Sequence, residues 1–210
     1  GGKRWCTGTL VSDRHVLTAG HCLQIQDGSS GWLSPYTVDT NRRPVFAKPE
    51  MIARVMVINF KYQLNGTTGQ RRSPDVYPIA RLLEYSYEAN KMDYALIEVG
   101  PNGAGKLPGA TYAPAKVAVR DLALNGERLT IIQHPQGDPK KLESGPGIAV
   151  SGNFMFYSNL DTFGGSSGSG VRDDIGDVIG VHTNGGCRTD GTGVNRGVTM
   201  PAIAAVSDFF

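Results

Sequence analysis

Short runs in which apolar and polar residues alternate, each closed off by Gly, Pro, Asn or Asp, recur along the chain, and this rhythm most constrains its fold. The candidate strands are Trp5–Val11, His15–Leu17, Ile52–Phe60, Tyr94–Val99, Lys116–Arg120, Arg128–His134, Gly147–Asn159, Gly168–Arg172, Asp177–Thr183 and Gly193–Met200. Alternation such as Thr7-Gly8-Thr9-Leu10-Val11 suits a strand covered on one face. With 28 Gly and 12 Pro in 210 residues, long helices have no room, and helical periodicity is confined to Ala202–Phe210. The pattern predicts an all-β barrel or sandwich fold with a short C-terminal helix.

Gly100–Pro114 is the stretch richest in Gly and Pro and reads as a linker. Cutting there leaves two β-rich halves of about 100 residues, a comfortable small-domain size. Asn65–Ser73 reads as a polar surface loop, and Asn65-Gly66-Thr67 fits the N-glycosylation triplet. Twenty-one basic against 19 acidic residues give a net charge of +2, too small a field to expect nucleic acid or an anionic membrane as partner. No apolar run approaches the ~18 residues that span a bilayer. The N-terminal Gly1–Gly8 segment resembles neither a signal nor a transit peptide and reads as a processed end. Three cysteines allow one disulfide and a leftover, and without an EF-hand loop, HExxH or paired CxxC no metal or cofactor is expected.

Three segments carry candidate chemistry. Thr18-Ala19-Gly20-His21-Cys22 would expose an imidazole at a strand end while Cys22 could tie back to Cys6; alone, His21 could equally be a packed histidine. Phe163-Gly164-Gly165-Ser166-Ser167-Gly168-Ser169-Gly170 has the composition of a flexible linker, yet it lies between strand-like segments. Backbone freedom is needed there only for a tight turn. Such a turn can present a serine hydroxyl and aim consecutive N–H groups at one spot, as a tetrahedral oxyanion requires. Asp93 opens an apolar strand, where a carboxylate either caps a turn or serves a partner. A nucleophilic serine needs a base, and the base an orienting carboxylate. The order His21, Asp93, Ser167 is that of chymotrypsin.

On these residues the chain resembles the trypsin-like serine endopeptidases. Thr18–Cys22 is similar to the family's TAAHC, Asp93-Tyr94-Ala95-Leu96 to DIAL, and Gly165–Gly170 to GDSGGP. The secreted microbial glutamyl endopeptidases, with GNSGSP, are the closer likeness, and the resemblance runs from residue 6 to about 200. It implies two six-stranded antiparallel β-barrels, residues 1–105 carrying His21 and Asp93 and residues 106–210 carrying Ser167. It further implies a catalytic triad of those three residues, an oxyanion hole of the Gly165 and Ser167 N–H groups, and a Cys6–Cys22 disulfide. Polypeptide substrates, a monomer and secretion are expected. Only 20 residues precede His21, so the first strand of the first barrel is expected to be missing. A propeptide or a separate N-terminal segment would then be a further partner, and Cys187 would pair there. Ser166 stands where animal trypsins have the aspartate that receives the new N-terminus.

The S1 pocket is expected from Asp161, Thr162 and Phe163 and from His182, Thr183, Asn184 and Gly185. His182 lies 15 residues after Ser167 and Thr162 five before, as in the glutamyl branch, which implies cleavage after Glu or Asp. Asp161 competes with that reading, because trypsins use an aspartate six residues before the serine to bind Arg or Lys. A non-enzymatic binding protein on a protease-like fold is the alternative of another class, and an intracellular quality-control protease a weaker one. His134 reads as a turn residue, His15 as packing near the catalytic loop, and Lys140 and Lys141 as solvated charge.

Overall fold

The alternating runs fold as strands. A computed structural model describes residues 3–24, 34–88, 91–188 and 190–210; Gly1 and Gly2 of the N-terminal segment lie outside these. The first half contains β1 (Thr9–Leu10), β2 (His15–Thr18), β3 (Tyr36–Val38), β4 (Pro44–Phe46), α1 (Pro49–Ala53), β5 (Val57–Phe60), β6 (Asp75–Glu88) and β7 (Met92–Val99). The second contains β8 (Arg128–Gln133), β9 (Lys141–Ser151), β10 (Phe154–Tyr157), β11 (Gly170–Arg172), β12 (Val178–Asn184), β13 (Asn195–Thr199) and α2 (Met200–Ala204).

The second set closes into a six-stranded antiparallel barrel in the order β10-β13-β12-β11-β8-β9. Its inward residues Leu129, Ile131, Met155, Leu160, Val171 and Ile179 are fully buried, each stabilising the fold by about 1.5–3 kcal/mol. The first set forms a five-stranded antiparallel sheet, β1-β2-β7-β6-β5, with β3-β4 as a separate ribbon. The expectation of two closed barrels therefore holds for one. In the other, β1 and β5 remain edges, and no strand among the described residues joins them. Leu17, Ala19, Cys22, Tyr94 and Leu96 from this half pack with Val178, Val181, Val198, Met200 and Ile203 in one buried cluster. The two halves thus share a core.

Several expected boundaries move. Ile52 and Ala53 belong to α1, where Pro49 presets the first turn, Glu50 favours the helix N-terminus and the two apolar residues are buried. In Lys116–Arg120 only Val117 forms a bridge, to Val178. Gly147–Asn159 is two strands, split where Gly152 takes a positive φ of 56°. The terminal helix is Met200–Ala204, capped by Thr199, whose side chain accepts from Ala202 N–H at 3.3 Å. It does not run to Phe210, because the Glu84 carboxylate accepts from Ser207 Oγ and Asp208 N–H, both at 2.8 Å, and draws the chain onto β6. Gly100–Pro114 is ordered against the first sheet: Gly100 N–H donates to Pro78 O, Gly109 N–H to Asp13 O and Ala115 N–H to Leu10 O.

Candidate active site

His21 sits in a 3₁₀ turn, Gly20–Leu23, directly after β2, and Asp93 near the start of β7. The antiparallel pairing of β2 with β7, with Thr18 opposite Ala95, brings the two together. One Asp93 oxygen accepts the His21 backbone N–H at 2.9 Å and the other lies 2.7 Å from Nδ1. A buried carboxylate bound this way puts the proton on Nδ1 and leaves Nε2 with its lone pair outward. Tyr87 lies beside the imidazole, its ring centroid 5.9 Å away.

Ser167 lies in the turn Phe163–Ser169, which backbone geometry reserves for glycine at two points. Gly165 and Gly168 have φ of 101° and 87°, a region that side chains other than glycine's rarely adopt. A Cβ on Gly165 would come within 2.5 Å of His134 O, and one on Gly168 within 2.2 Å of Thr7 O. Inside the turn, Ser166 N–H donates to Phe163 O at 2.9 Å, Ser166 Oγ accepts from Phe163 N–H at 3.2 Å, and Ser169 Oγ donates to Ser166 O at 2.7 Å. The fully buried Ser166 is satisfied locally and needs no ionic partner.

Two segments grip the turn from opposite sides. On one side β12 pairs with it: Gly168 N–H donates to His182 O and His182 N–H to Ser169 O, both at 2.8 Å. On the other, Thr7 N–H donates to Ser167 O and Thr7 Oγ1 to Gly165 O, both at 2.8 Å. The Cys6–Cys22 disulfide is present, with Cα atoms 6.0 Å apart, and Cys22 Sγ lies 3.8 Å from Ser167 O. His21 is therefore carried beside the serine turn. Among the described residues, the Gly165 and Ser167 N–H groups donate to no protein acceptor, and Ser167 Oγ makes no hydrogen bond. The reactive groups of such sites often tighten only around substrate.

The expected S1 residues divide. His182 is 2% exposed, and Tyr157 Oη lies 2.5 Å from its Nδ1. Burial lowers the His182 pKa to about 3; the nearby His21 charge acts the same way and Asp93 opposes it. Burial also raises the Tyr157 pKa well above the ordinary phenol value, with Cys187 adding to the rise, so the phenol keeps its proton. With no other acceptor among the described residues, Tyr157 O–H donates to Nδ1, which places the imidazole proton on Nε2.

Thr162 Oγ1 donates to Asn195 Oδ1 at 3.2 Å, and a Cβ on Gly185 would meet that hydroxyl at 2.7 Å, so Thr162 and Gly185 are adjacent. Asn195 is not among the expected pocket residues. It is fully buried, its Oδ1 also accepts the Gly186 and Cys187 N–H groups, and its Nδ2 donates to Leu160 O. Thr183 Oγ1 turns to Asn184 Oδ1 at 2.9 Å, and Arg196 also donates to that oxygen. Phe163 is 56% exposed. Asp161 is also exposed; among the described residues only its backbone carbonyl is engaged, by Gln133 Nε2 at 2.7 Å.

Of the groups a metal might choose, Cys6 and Cys22 are consumed by the disulfide. In the other acidic group, Arg120 already pairs with Glu127 and Asp173, at 3.4 and 3.1 Å.

Two β lobes with a shared core and a glycine-bound serine turn wedged beside a His–Asp pair are the build of the chymotrypsin-fold peptidases. The chain matches the trypsin-like peptidase domain over residues 6–181 and belongs to that family. It is 28% identical over 144 residues to a glutamyl endopeptidase of Staphylococcus epidermidis, covering 61% of this chain and 50% of that protein. To the glutamyl endopeptidase of Staphylococcus aureus strain MW2 it is 24% identical over 194 residues, covering 83% of this chain and 56% of that one. The chain thus spans about half the length of the curated relatives it matches. Among solved structures, a Glu endopeptidase superposes with a TM-score of 0.57 at 21% identity, covering 95% of this chain and 81% of that one. A scabies mite inactivated protease paralogue superposes with a TM-score of 0.63 at 15% identity, covering 95% and 85%. Likeness at this level shows the fold alone.

Proposed function

We propose that the chain is a serine endopeptidase acting through an acyl-enzyme. Ser167 Oγ attacks the scissile carbonyl, while His21 Nε2 takes its proton and returns it to the leaving amine. Asp93 holds the tautomer and stabilises the imidazolium. The Gly165 and Ser167 N–H groups receive the developing oxyanion. The observation that carries this reading is the His21–Asp93 pair, with its proton fixed on Nδ1, beside a serine turn whose Gly165 and Ser167 N–H groups have no protein acceptor among the described residues. We take residues 1–105 and 106–210 as the two lobes and their junction as the active site. A Cys6–Cys22 disulfide favours an oxidising, extracellular setting.

For the substrate we propose a P1 Glu or Asp held by His182 and Thr162. Tyr157 leaves the His182 Nε2–H as a donor, and Thr162 stands beside Gly185, where a pocket wall belongs. Relatives named glutamyl endopeptidases add support. Asp161, exposed and without an ionic partner among the described residues, makes cleavage after Arg or Lys the competing outcome.

Fluorogenic peptides that differ only in a P1 Glu, Asp, Arg or Lys decide between them, and absence of Glu and Asp cleavage ends the acidic reading. A fluorophosphonate should label the wild type and leave Ser167→Ala unlabelled. A folded Ser167→Ala protein that keeps most of its peptidase activity would falsify the triad.

A further inference from the structure

Beside the serine turn, on the side away from β12, two guanidiniums flank one tyrosine, and a lysine is tied to it through the backbone. Tyr62 is 4% exposed. The Arg4 guanidinium carbon lies 4.0 Å from its ring centroid and that of Arg71 5.4 Å. The His134 ring is 5.6 Å away, and the Lys140 backbone N–H donates to the Tyr62 backbone carbonyl at 2.9 Å. Stacking on an aromatic face orients a guanidinium without neutralising it.

Among the described residues, no carboxylate pairs with Arg4, Arg71 or Lys140. The carboxylate on the same loop, Asp138, is taken by Lys141 at 3.8 Å. Arg4 Nε is buried with no hydrogen-bond partner among the described residues. The concentration of charge is felt at His134, whose pKa is lowered first by burial and then by Lys140 and Arg4, against the opposing hydrogen bond to Asp138 O.

This cluster is wired to the site. Thr7 Oγ1, three residues after Arg4, accepts His134 N–H at 3.0 Å and donates to Gly165 O, and Gln136 N–H donates to Gly164 O at 2.6 Å. The proposed P1 residues His182 and Thr162 belong to the β12 side, so a substrate's leaving half departs on the Thr7 side. We propose that Arg4, Arg71 and Lys140 form a subsite for an acidic side chain on the leaving-group side of the scissile bond. The inference rests on the endopeptidase reading for its direction along the substrate. Unpaired cations at the rim of a cleft attract and select an oppositely charged chain.

The test uses internally quenched peptides with one fixed acyl half and leaving halves carrying Glu, Ala or Lys at the first three positions. The wild type should cleave the Glu series with a kcat/KM about tenfold above the Ala series, two or three partly exposed ion pairs each contributing up to about fivefold. The Lys series should be slowest. Arg71→Gln/Lys140→Gln, which removes charge at exposed positions and spares Arg4, should cut the Glu-to-Ala ratio severalfold, to what Arg4 alone sustains, about twofold. A ratio near one in the wild type, or a tenfold ratio that survives in the variant, overturns the subsite.

Cleavage of the Ala series tests the endopeptidase reading separately. Should that fail, anisotropy of labelled Glu and Ala leaving-half peptides on the same protein still decides the subsite. Preferential, salt-sensitive binding of the Glu peptide that is weakened severalfold in Arg71→Gln/Lys140→Gln supports it, and equal binding overturns it.

Discussion

The His21–Asp93 region and the Tyr157–His182 region each hold one imidazole Nδ1 against one oxygen, at 2.7 Å and 2.5 Å, yet they set the ring in opposite states. Asp93 is an acceptor, so the His21 proton sits on Nδ1 and Nε2 is a base. Tyr157 is a donor, so the His182 proton sits on Nε2 and that nitrogen is a hydrogen-bond donor. The His21 side chain is 20% exposed, whereas His182 is sealed and kept neutral by burial. One residue type serves as proton acceptor or as fixed donor according to its neighbour's chemistry.

The largest break in this comparison should come from Asp93→Asn, which frees His21 to adopt the tautomer His182 has. We expect kcat to fall by about 10⁴-fold, read on the best P1 peptide, with the fold retained by circular dichroism. A loss below tenfold would mean that the carboxylate does not set the proton.

The next effect is on stability. Because the folded His182 pKa is about 3 against an ordinary ~6.5, the unfolded chain binds the extra proton between those values. Its contribution is fully present above pH ~6.5 and is lost as pH falls towards ~3, amounting to about 3 kcal/mol by pH ~4. Denaturant melts of the wild type and His182→Gln across that range should show the flatter pH dependence in the variant; parallel curves would refute the buried neutral state.

The smallest effect should follow Tyr157→Phe. It leaves His182 Nδ1 unpaired at a cost of about 1–3 kcal/mol and releases the tautomer. KM for a P1 Glu peptide should rise while kcat changes little, and an equal fall of kcat for Glu and other P1 peptides would argue against a pocket role.

The two regions were not equally legible. His21, Asp93 and the serine turn announce themselves because each requires a particular residue type at one place, glycine at 165 and 168 included. The Tyr157–His182 contact depends on the register of β10 and β12 against their common neighbour β13, where Tyr157 faces Asn195 and His182 faces Gly197. No local pattern encodes that. β6, the longest strand at 14 residues, escaped notice because Pro78 interrupts it and shifts at Ile79/Arg81 and Leu82/Glu84 reset its alternation. The stacking of Arg4 on Tyr62 is equally hidden from local pattern, because the two come from distant parts of the chain.

Thr7 gives the disulfide next to it a second meaning. This one residue bonds Ser167 O, Gly165 O and His134 N–H, and its neighbour Cys6 is bolted to Cys22, the residue after His21. His21 and the serine turn are thereby clamped to a common short rod. On the proposed mechanism a reductant that opens this bond would detune catalysis; the shared core around Cys22 would feel the break, while the barrel interior of Leu129, Ile131 and Met155 would not.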